Sequence, residues 1–125
     1  MGAGENRLTS INMRVTGKIA VIEVIGNLYL EKGAPELREA THEALKADLR
    51  QILIDLRRTV AIDSGGIGEL VASKWAAVDK GGDIALLAPT SKVRAALELV
   101  HLSHILKVYD SEPSAMKALG VERTR

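Results

Sequence analysis

A short segment that combines a carboxylate, a hydroxyl and three glycines is the part of this 125-residue sequence best suited to chemistry. Residues 63–68 read Asp-Ser-Gly-Gly-Ile-Gly and lie between an apolar run at 51–56 and a stretch with helical periodicity. A helix start offers unpaired backbone N–H groups and partial positive charge, so it attracts phosphate and carboxylate groups. Ser64 is therefore a candidate nucleophile, phosphate ligand or phosphate acceptor, and the residues alone leave these roles open.

Familiar catalytic and phosphate-binding patterns do not fit this segment. A serine hydrolase elbow needs glycine two residues before the serine, where this chain has Ile62, and the three histidines are not obviously placed to act as a base. A P-loop needs lysine and a hydroxyl residue after its last glycine, where Glu69 and Leu70 stand. Chemistry alone favours a turn whose serine caps the helix. Nucleotide binding at this glycine-rich turn is a further hypothesis.

Composition indicates a single globular domain, and we expect neither a cofactor nor a metal centre. Hydrophobic residues make up 46% and charged residues 26% of the chain, an ordinary balance for a globular protein. The absence of cysteine excludes disulfides, thiol catalysis and thiolate metal sites. With no Phe, two Tyr and one Trp, the core must consist of Val, Ile, Leu and Ala, which suits parallel strands that are covered on both faces.

Charge and hydropathy argue against nucleic-acid binding and direct membrane insertion. The net charge is +1, neither sign forms a long block, and aromatic residues are too few for base-stacking platforms. No apolar run approaches the about 20 residues of a membrane span, and residues 1–7 lack the apolar core of a signal peptide. We expect a cytoplasmic protein with a disordered tail at 1–7, one domain at 8–120 and a second tail at 121–125.

Hydrophobic patterning predicts the elements that position the segment. The predicted strands lie at 8–15, 19–25, 51–56, 84–88 and 105–109, and helices begin near 34, 64, 90 and 111. A tight turn joins the first two strands, which should form an antiparallel hairpin. Strands that alternate with helices imply parallel crossovers. The predicted fold class is α/β, with a mixed sheet of about five strands, parallel except for the N-terminal strand, and about four helices.

Finer predictions concern the helices. Apolar residues of the second helix recur at helical spacing and define one face: Ile67, Leu70, Val71, Trp75 and Val78. The third helix should be capped by Thr90 or Ser91, and the last should end at Gly120. His42 has no second ligand at i+4 and is predicted to be a surface histidine. In a parallel sheet, sites collect where strands run into helix N-termini, which is the position of the 63–68 segment.

The motif and its context resemble the STAS domain family, which is named for sulfate transporters and anti-sigma factor antagonists. The family's hallmark is Asp-Ser-(Ser/Thr)-Gly-(Leu/Ile)-Gly at the start of the second helix, and residues 63–68 match it except that Gly65 replaces a hydroxyl residue. The resemblance extends from Gly-x-Leu at 26–28 through 89–93 and covers roughly residues 10–119. A further departure is Tyr29, which stands where many antagonists have an acid.

The resemblance implies a regulatory binding protein and no enzymatic activity. In the antagonist branch, the serine after the aspartate accepts phosphate, and that position is Ser64. The unmodified protein binds an anti-sigma factor, usually a serine kinase; phosphorylation prevents this binding and a phosphatase restores it. The implied partner-binding residues are Asp63, Ser64, Gly65, Gly66, Ile67, Gly68, Asn27 and Tyr29. A homodimer is also compatible with the family.

Two questions stay open at this point, one about function and one about a pair of arginines. STAS domains also serve as constitutive subunits of stressosome-like or lipid-transport (ABC) complexes, in which Ser64 would only pack and cap. Arg57 and Arg58 precede the segment and are candidates for pairing with a phosphate, although they could equally lie in a solvated loop.

Overall fold

The computed structural model describes residues 9–121, so the predicted tail at 1–7 and all but the first residue of the predicted tail at 121–125 lie outside the described residues. The strands are β1 (Ser10–Thr16), β2 (Ile19–Leu28), β3 (Gln51–Asp55), β4 (Thr59–Ile62), β5 (Asp83–Leu87) and β6 (Lys107–Tyr109). The helices are α1 (Ala34–Lys46), α2 (Ser64–Asp79), α3 (Ser91–Leu99) and α4 (Glu112–Val121), with one 3-10 turn at Leu102–His104.

One mixed sheet organises these elements. Its strand order is β1-β2-β3-β5-β6, and β4 pairs with β2 beside this path. β1 is antiparallel to β2, whereas all the other pairs are parallel. The predicted α/β fold class, the N-terminal hairpin and the four helices are confirmed. The structure adds β4, a sixth strand that the sequence patterning did not predict.

β4 exists because β2 bends instead of ending. The sequence suggested that β2 stops at Gly26, but Gly26 adopts a φ of 102°, the register shifts there, and β2 continues to Leu28 beside β4. Thr59 anchors the new pair, since its Oγ1 donates to the Val24 carbonyl oxygen at 2.8 Å. The bend brings Leu28 next to Ile62, one residue before Asp63, and so places the end of β2 at the start of α2.

Aliphatic side chains fill both faces of the sheet, as the composition predicts. One face packs against α1, α2 and α3 through a large cluster that includes Ile22, Leu28, Leu37, Ile54, Leu70, Leu86 and Val93. The other face packs against α4 through a smaller cluster that includes Val21, Leu53, Leu87, Ala115 and Leu119. A sheet buried on both sides holds the strand ends in fixed positions, from which the loops of the site extend.

The apolar face predicted for α2 coincides with the buried face only at Leu70. Ile67 and Val71 are partly buried, and Trp75 and Val78 are 50% and 39% exposed. The prediction that these five residues form one face holds for the spacing. Leu70, Ile67 and Val71 pack in or against the core, whereas Trp75 and Val78 are exposed.

Polar and small side chains take the buried side of α2 instead. Ser73 and Glu69 are buried against α1, where the Ser73 and Thr41 hydroxyl oxygens lie 3.2 Å apart. Arg38 Nε donates to Glu69 Oε1 at 3.2 Å, and Ser73 Oγ donates to Glu69 Oε2 at 3.3 Å. Because these groups satisfy one another, the buried contact between α1 and α2 is partly polar.

The helix ends agree with the predictions to different degrees. Thr90 is the N-cap of α3, as one of the two predicted candidates, and His42 is exposed, as predicted. Gly120 does not end α4, which runs through Val121, so the helix includes the first residue of the predicted C-terminal tail.

Candidate functional site

One carboxylate fastens the start of α2. Asp63 follows β4 and is the N-cap of the helix, where its Oδ1 accepts from the Gly66 backbone N–H at 2.9 Å. The same carboxylate accepts from the backbone N–H of Leu30 at 3.0 and 3.2 Å. Asp63 therefore joins the first turn of α2 to a loop that lies 33 residues earlier in the chain.

That loop, residues 29–33 between β2 and α1, is a compact turn. The Tyr29 N–H donates to the Lys32 carbonyl at 2.7 Å, and the Lys32 N–H returns a bond to the Tyr29 carbonyl at 3.2 Å. The Ala34 N–H donates to the Tyr29 carbonyl as well, at 3.0 Å. Because the turn closes on itself, it presents a fixed surface to α2.

Two glycines let neighbouring chain segments lie directly on the helix: Gly65 faces this loop, and Gly66 faces the ends of β2 and β4. A Cβ atom at Gly65 would collide with the Leu30 side chain and lie 2.6 Å from Leu30 Cα. A Cβ atom at Gly66 would overlap the Leu28 carbonyl oxygen and lie 2.9 Å from Ile62 Cγ1. The departure at Gly65 therefore has a local cause, since a serine or threonine there would displace Leu30.

Gly68 has no such neighbour. A Cβ atom placed on it would meet no heavy atom within 4 Å, and the residue is exposed inside α2. Glycine in a helix interior is about 0.8–1.0 kcal/mol less favourable than alanine. Packing within the described chain therefore does not explain this glycine.

The Ser64 hydroxyl is exposed and is not used by the fold. Ser64 is the first residue of α2, and among residues 9–121 no hydrogen bond reaches its Oγ. The expectation that the serine caps the helix is wrong, because the side chain of Asp63 performs that role. The hydroxyl therefore stands at the helix N-terminus, open to another molecule.

An open cleft of about 380 Å³ adjoins the segment. It is lined by Asn27, Tyr29, Leu30, Glu31, Lys32 and Asp63. The structure thus brings the candidates Asn27 and Tyr29 together with Asp63, although they are distant in sequence. Leu30 was missed because nothing in its own sequence neighbourhood signals a contact with a helix that begins at residue 64.

An apolar stripe runs along α2 from the segment. It consists of Ile67, Val71, Trp75 and Val78, which recur at helical spacing. Trp75 and Val78 are exposed, and Ile67 and Val71 are partly buried against the core. Exposed apolar side chains that lie next to each other are typical of protein contact sites. The stripe extends the surface around Ser64 by about three helical turns.

The two arginines before the segment are engaged elsewhere. Arg57 Nη2 lies 2.8 Å from Oδ2 of the buried Asp55, and this side-chain hydrogen bonding raises the pKa of the Arg57 guanidinium. Arg58 Nη1 lies 3.7 Å from Glu23. Their positions do not support the hypothesis that these arginines pair with a phosphate on Ser64.

Sequence comparison identifies the domain. The profile of the STAS domain matches residues 10–115. The chain belongs to the STAS domain family. The matched range includes the 63–68 segment. No helix among the described residues is long and apolar enough to cross a membrane.

Similar proteins agree with this assignment. A protein of Thermotoga maritima that is named as an anti-sigma factor antagonist is 33% identical over 75 residues, which are 60% of this chain and 66% of that protein. A crystal structure under the same name from T. maritima superposes with a TM-score of 0.80 at 24% identity, over 87% of this chain and 93% of that one. The Bacillus cell fate determinant SpoIIAA in its phosphorylated form gives a TM-score of 0.67 at 19% identity, over 87% and 99% of the two chains. These likenesses show an anti-sigma factor antagonist-like STAS fold.

Proposed function

We propose that this STAS domain is an anti-sigma factor antagonist, a binding protein without enzymatic activity whose Ser64 is phosphorylated by a serine-kinase anti-sigma factor. The observation that carries the proposal is that the exposed Ser64 hydroxyl stands at the first position of α2, where Leu30 of the 29–33 loop lies against Gly65 and completes a composite surface. Because the fold makes no use of this hydroxyl, a kinase can modify it without breaking a structural contact.

The names of similar proteins support the proposal. The T. maritima relative is named for anti-sigma factor antagonism, and SpoIIAA of Bacillus is described in a phosphorylated form. The aligned part spans 66% of the T. maritima relative, so the activity belongs to this chain only as a proposal.

Charge explains how phosphate would act as a switch. A phosphoserine adds about −1.5 to −2 charges next to the carboxylate of Asp63. Attraction to the N-terminus of α2 stabilises that charge by only about 0.3–1 kcal/mol, so the fold survives the modification. A partner surface that accommodates a hydroxyl would instead bury a doubly charged group beside an acid, which costs about 2–5 kcal/mol of binding free energy.

Gly68 supports a contact surface at the start of α2. It lowers helix stability, and no neighbour within the described chain requires it. Close approach of a partner at this helical turn accounts for the missing side chain. The proposed contact surface comprises Asn27, Tyr29, Asp63, Ser64, Gly65, Ile67 and Gly68, and the apolar stripe on α2 extends it. Gly66, the remaining residue predicted to bind a partner, is buried against Leu28 and supports the surface from within.

The two departures from the family motif leave the switch in place under this proposal. Gly65 removes a second hydroxyl but admits Leu30, whose backbone N–H is held by Asp63. Tyr29 lines the cleft beside Asp63 in place of an acid, and it alters what the kinase recognises without blocking Ser64. The partners are then a cytoplasmic anti-sigma factor and a phosphatase.

A kinase assay tests the proposal. The protein is incubated with ATP and each serine-kinase anti-sigma factor encoded in the same genome, and phosphate is mapped by mass spectrometry. We expect phosphate at Ser64 in the wild type and in a Ser91→Ala variant, and none in Ser64→Ala. Ser91 is a matched control because it is an exposed serine at the first position of α3.

The opposite result would identify a different kind of STAS protein. Absence of phosphate from Ser64 with every such kinase would contradict the switch. Stable co-purification with a large assembly, unchanged by Ser64→Ala, would then indicate a constitutive subunit of a stressosome-like or lipid-transport complex.

A further inference from the structure

The outer edge of β1 is an edge of the sheet that takes no part in the Ser64 site. β1 pairs with β2 alone, over seven residues in continuous register. Among residues 9–121, no other element exchanges a hydrogen bond with the backbone of this outer edge. An unpaired strand edge is a template for pairing with another chain unless the sequence protects it.

The strand at the opposite edge of the sheet, β6, is protected against pairing with another chain. β6 spans only three residues and begins with the exposed Lys107, and a short strand with a lysine discourages pairing. β1 is longer and contains neither lysine nor proline. Its one charged residue, Arg14, donates to both carboxylate oxygens of Glu112 at 2.9 and 3.0 Å, so the charge is paired within the chain.

We infer that β1 is a dimerisation surface and that its occupant is β1 of a second copy of this chain, paired antiparallel. We place a two-fold axis perpendicular to the sheet, so that each odd-numbered residue faces an odd-numbered residue of the other copy and each even-numbered residue an even-numbered one. If all seven residues of β1 overlap, the central residue, Met13, lies on the axis. In this register Asn12 faces Arg14 of the partner subunit, so no like charges are opposed. A shift of the axis to Arg14 would oppose two guanidinium groups.

Apolar side chains favour the same register. Met13 and Val15 are 37% and 53% exposed, and they lie beside Ile22 and Ala20 of β2, which belong to the main core cluster. Pairing sets Met13 against Met13 of the partner subunit and Ile11 against Val15 of the partner subunit. The core of each copy then continues across the boundary, and the exposed apolar area of β1 is removed from water.

The size of the contact sets its strength. One strand from each copy forms a small interface, below about 1,200 Å² in total, which is the range of weak and transient complexes. The dimer should therefore depend on concentration. It does not depend on Ser64, so it can be tested separately from the proposed phosphorylation.

Sedimentation velocity tests the dimer over protein concentrations from about 10 µM to 1 mM, the range in which weak complexes assemble. We expect the wild type to shift from monomer to dimer across this range. Met13→Lys should remain monomeric, because two ammonium groups would face each other on the axis. Met13→Glu should also remain monomeric, because two carboxylates would face each other there. An equimolar mixture of the two variants should form a heterodimer, because a carboxylate then faces an ammonium group.

A matched control separates this effect from a general effect of charge. Leu99→Lys changes a residue that is 80% exposed at the end of α3, far along the chain from β1, and it should dimerise like the wild type. A wild type that stays monomeric at 1 mM, or a dimer that survives Met13→Lys, would overturn the inference. Failure of the mixed variants to associate would overturn the axis at Met13. Protection of the β1 amides from hydrogen exchange only when an anti-sigma factor is present would assign the edge to that partner.

Discussion

Two serines occupy equivalent places in this domain and differ in what surrounds them. Ser64 and Ser91 are each the first residue of a helix that follows a parallel strand, and both are exposed. Each is preceded by an N-cap whose side chain accepts from the third helical N–H, Asp63 for α2 and Thr90 for α3. An exposed serine at a helix start is therefore not by itself a functional signal.

The next two helical positions make the difference. α3 has Lys92 and the fully buried Val93 there, as an ordinary amphipathic helix does. α2 has Gly65, against which Leu30 of the 29–33 loop lies without room for a side chain, and Gly66, which lies equally close to the Leu28 carbonyl at the end of β2. The α2 start is therefore a composite surface built from two distant segments, whereas the α3 start is a single helix end.

The largest expected difference between the two serines concerns partner binding. Ser64→Glu should weaken binding to the anti-sigma factor by at least about 30-fold, because a buried charge beside Asp63 costs about 2 kcal/mol or more. Ser91→Glu should leave the affinity within about twofold, since a change outside an interface is worth little. Isothermal titration with both variants measures the contrast, and equal affinities would remove the distinction between the two helix starts.

A smaller effect is expected from crowding the contact between α2 and the end of β2. Gly66→Ala should lower the free energy of unfolding by about 3 kcal/mol, because its Cβ would overlap the Leu28 carbonyl oxygen and force the backbone to move. Urea unfolding measures the change. A loss below that of a typical surface substitution would show that the end of β2 does not lie against α2 as the structure indicates.

The two caps should also differ. Asp63→Ala removes a cap and the acceptor for the Leu30 N–H, so the free energy of unfolding should fall by about 2 kcal/mol, the upper end for lost caps. Thr90→Ala should cost about 1 kcal/mol, since its hydroxyl is a neutral cap. Thermal unfolding of both variants provides the comparison, and an equal or larger loss at Thr90 would contradict a special role for the carboxylate.

The smallest effect should have the opposite sign. Gly68→Ala should raise the free energy of unfolding by about 0.8–1.0 kcal/mol, because alanine favours the helix and the site has room for a methyl group. The same variant should bind the anti-sigma factor less tightly. A more stable variant with undiminished affinity would place Gly68 outside the contact surface.

The fold was predictable from local patterns wherever an element had strong periodicity. The alternation of strands and helices indicated the parallel sheet, and the tight turn after β1 indicated the hairpin. β4 was missed because four residues after two arginines give a weak strand signal, and because its pairing depends on the bend at Gly26. The burial of Glu69 and Ser73 on α2 did not follow from apolar periodicity, because both side chains bond to partners on α1.

The site was predictable only in part. The serine and its glycines were visible as a motif, and their position at a strand end followed from the element order. Leu30 was not predictable, because its contact with Asp63 joins residues 33 positions apart through an irregular loop. The roles of Gly65 and Gly66 also required the structure, since a sequence does not show which backbone approaches a missing side chain.

The most direct test of the account compares the unmodified protein with the same protein carrying phosphate on Ser64, both titrated into the anti-sigma factor. The account predicts saturable binding of the unmodified protein, and at least about a 30-fold loss of affinity after phosphorylation, with the fold retained. Treatment with a phosphatase should restore the original affinity. Equal binding of the two forms, with phosphate confirmed on Ser64, would contradict the claim that this helix start is a charge-controlled contact surface.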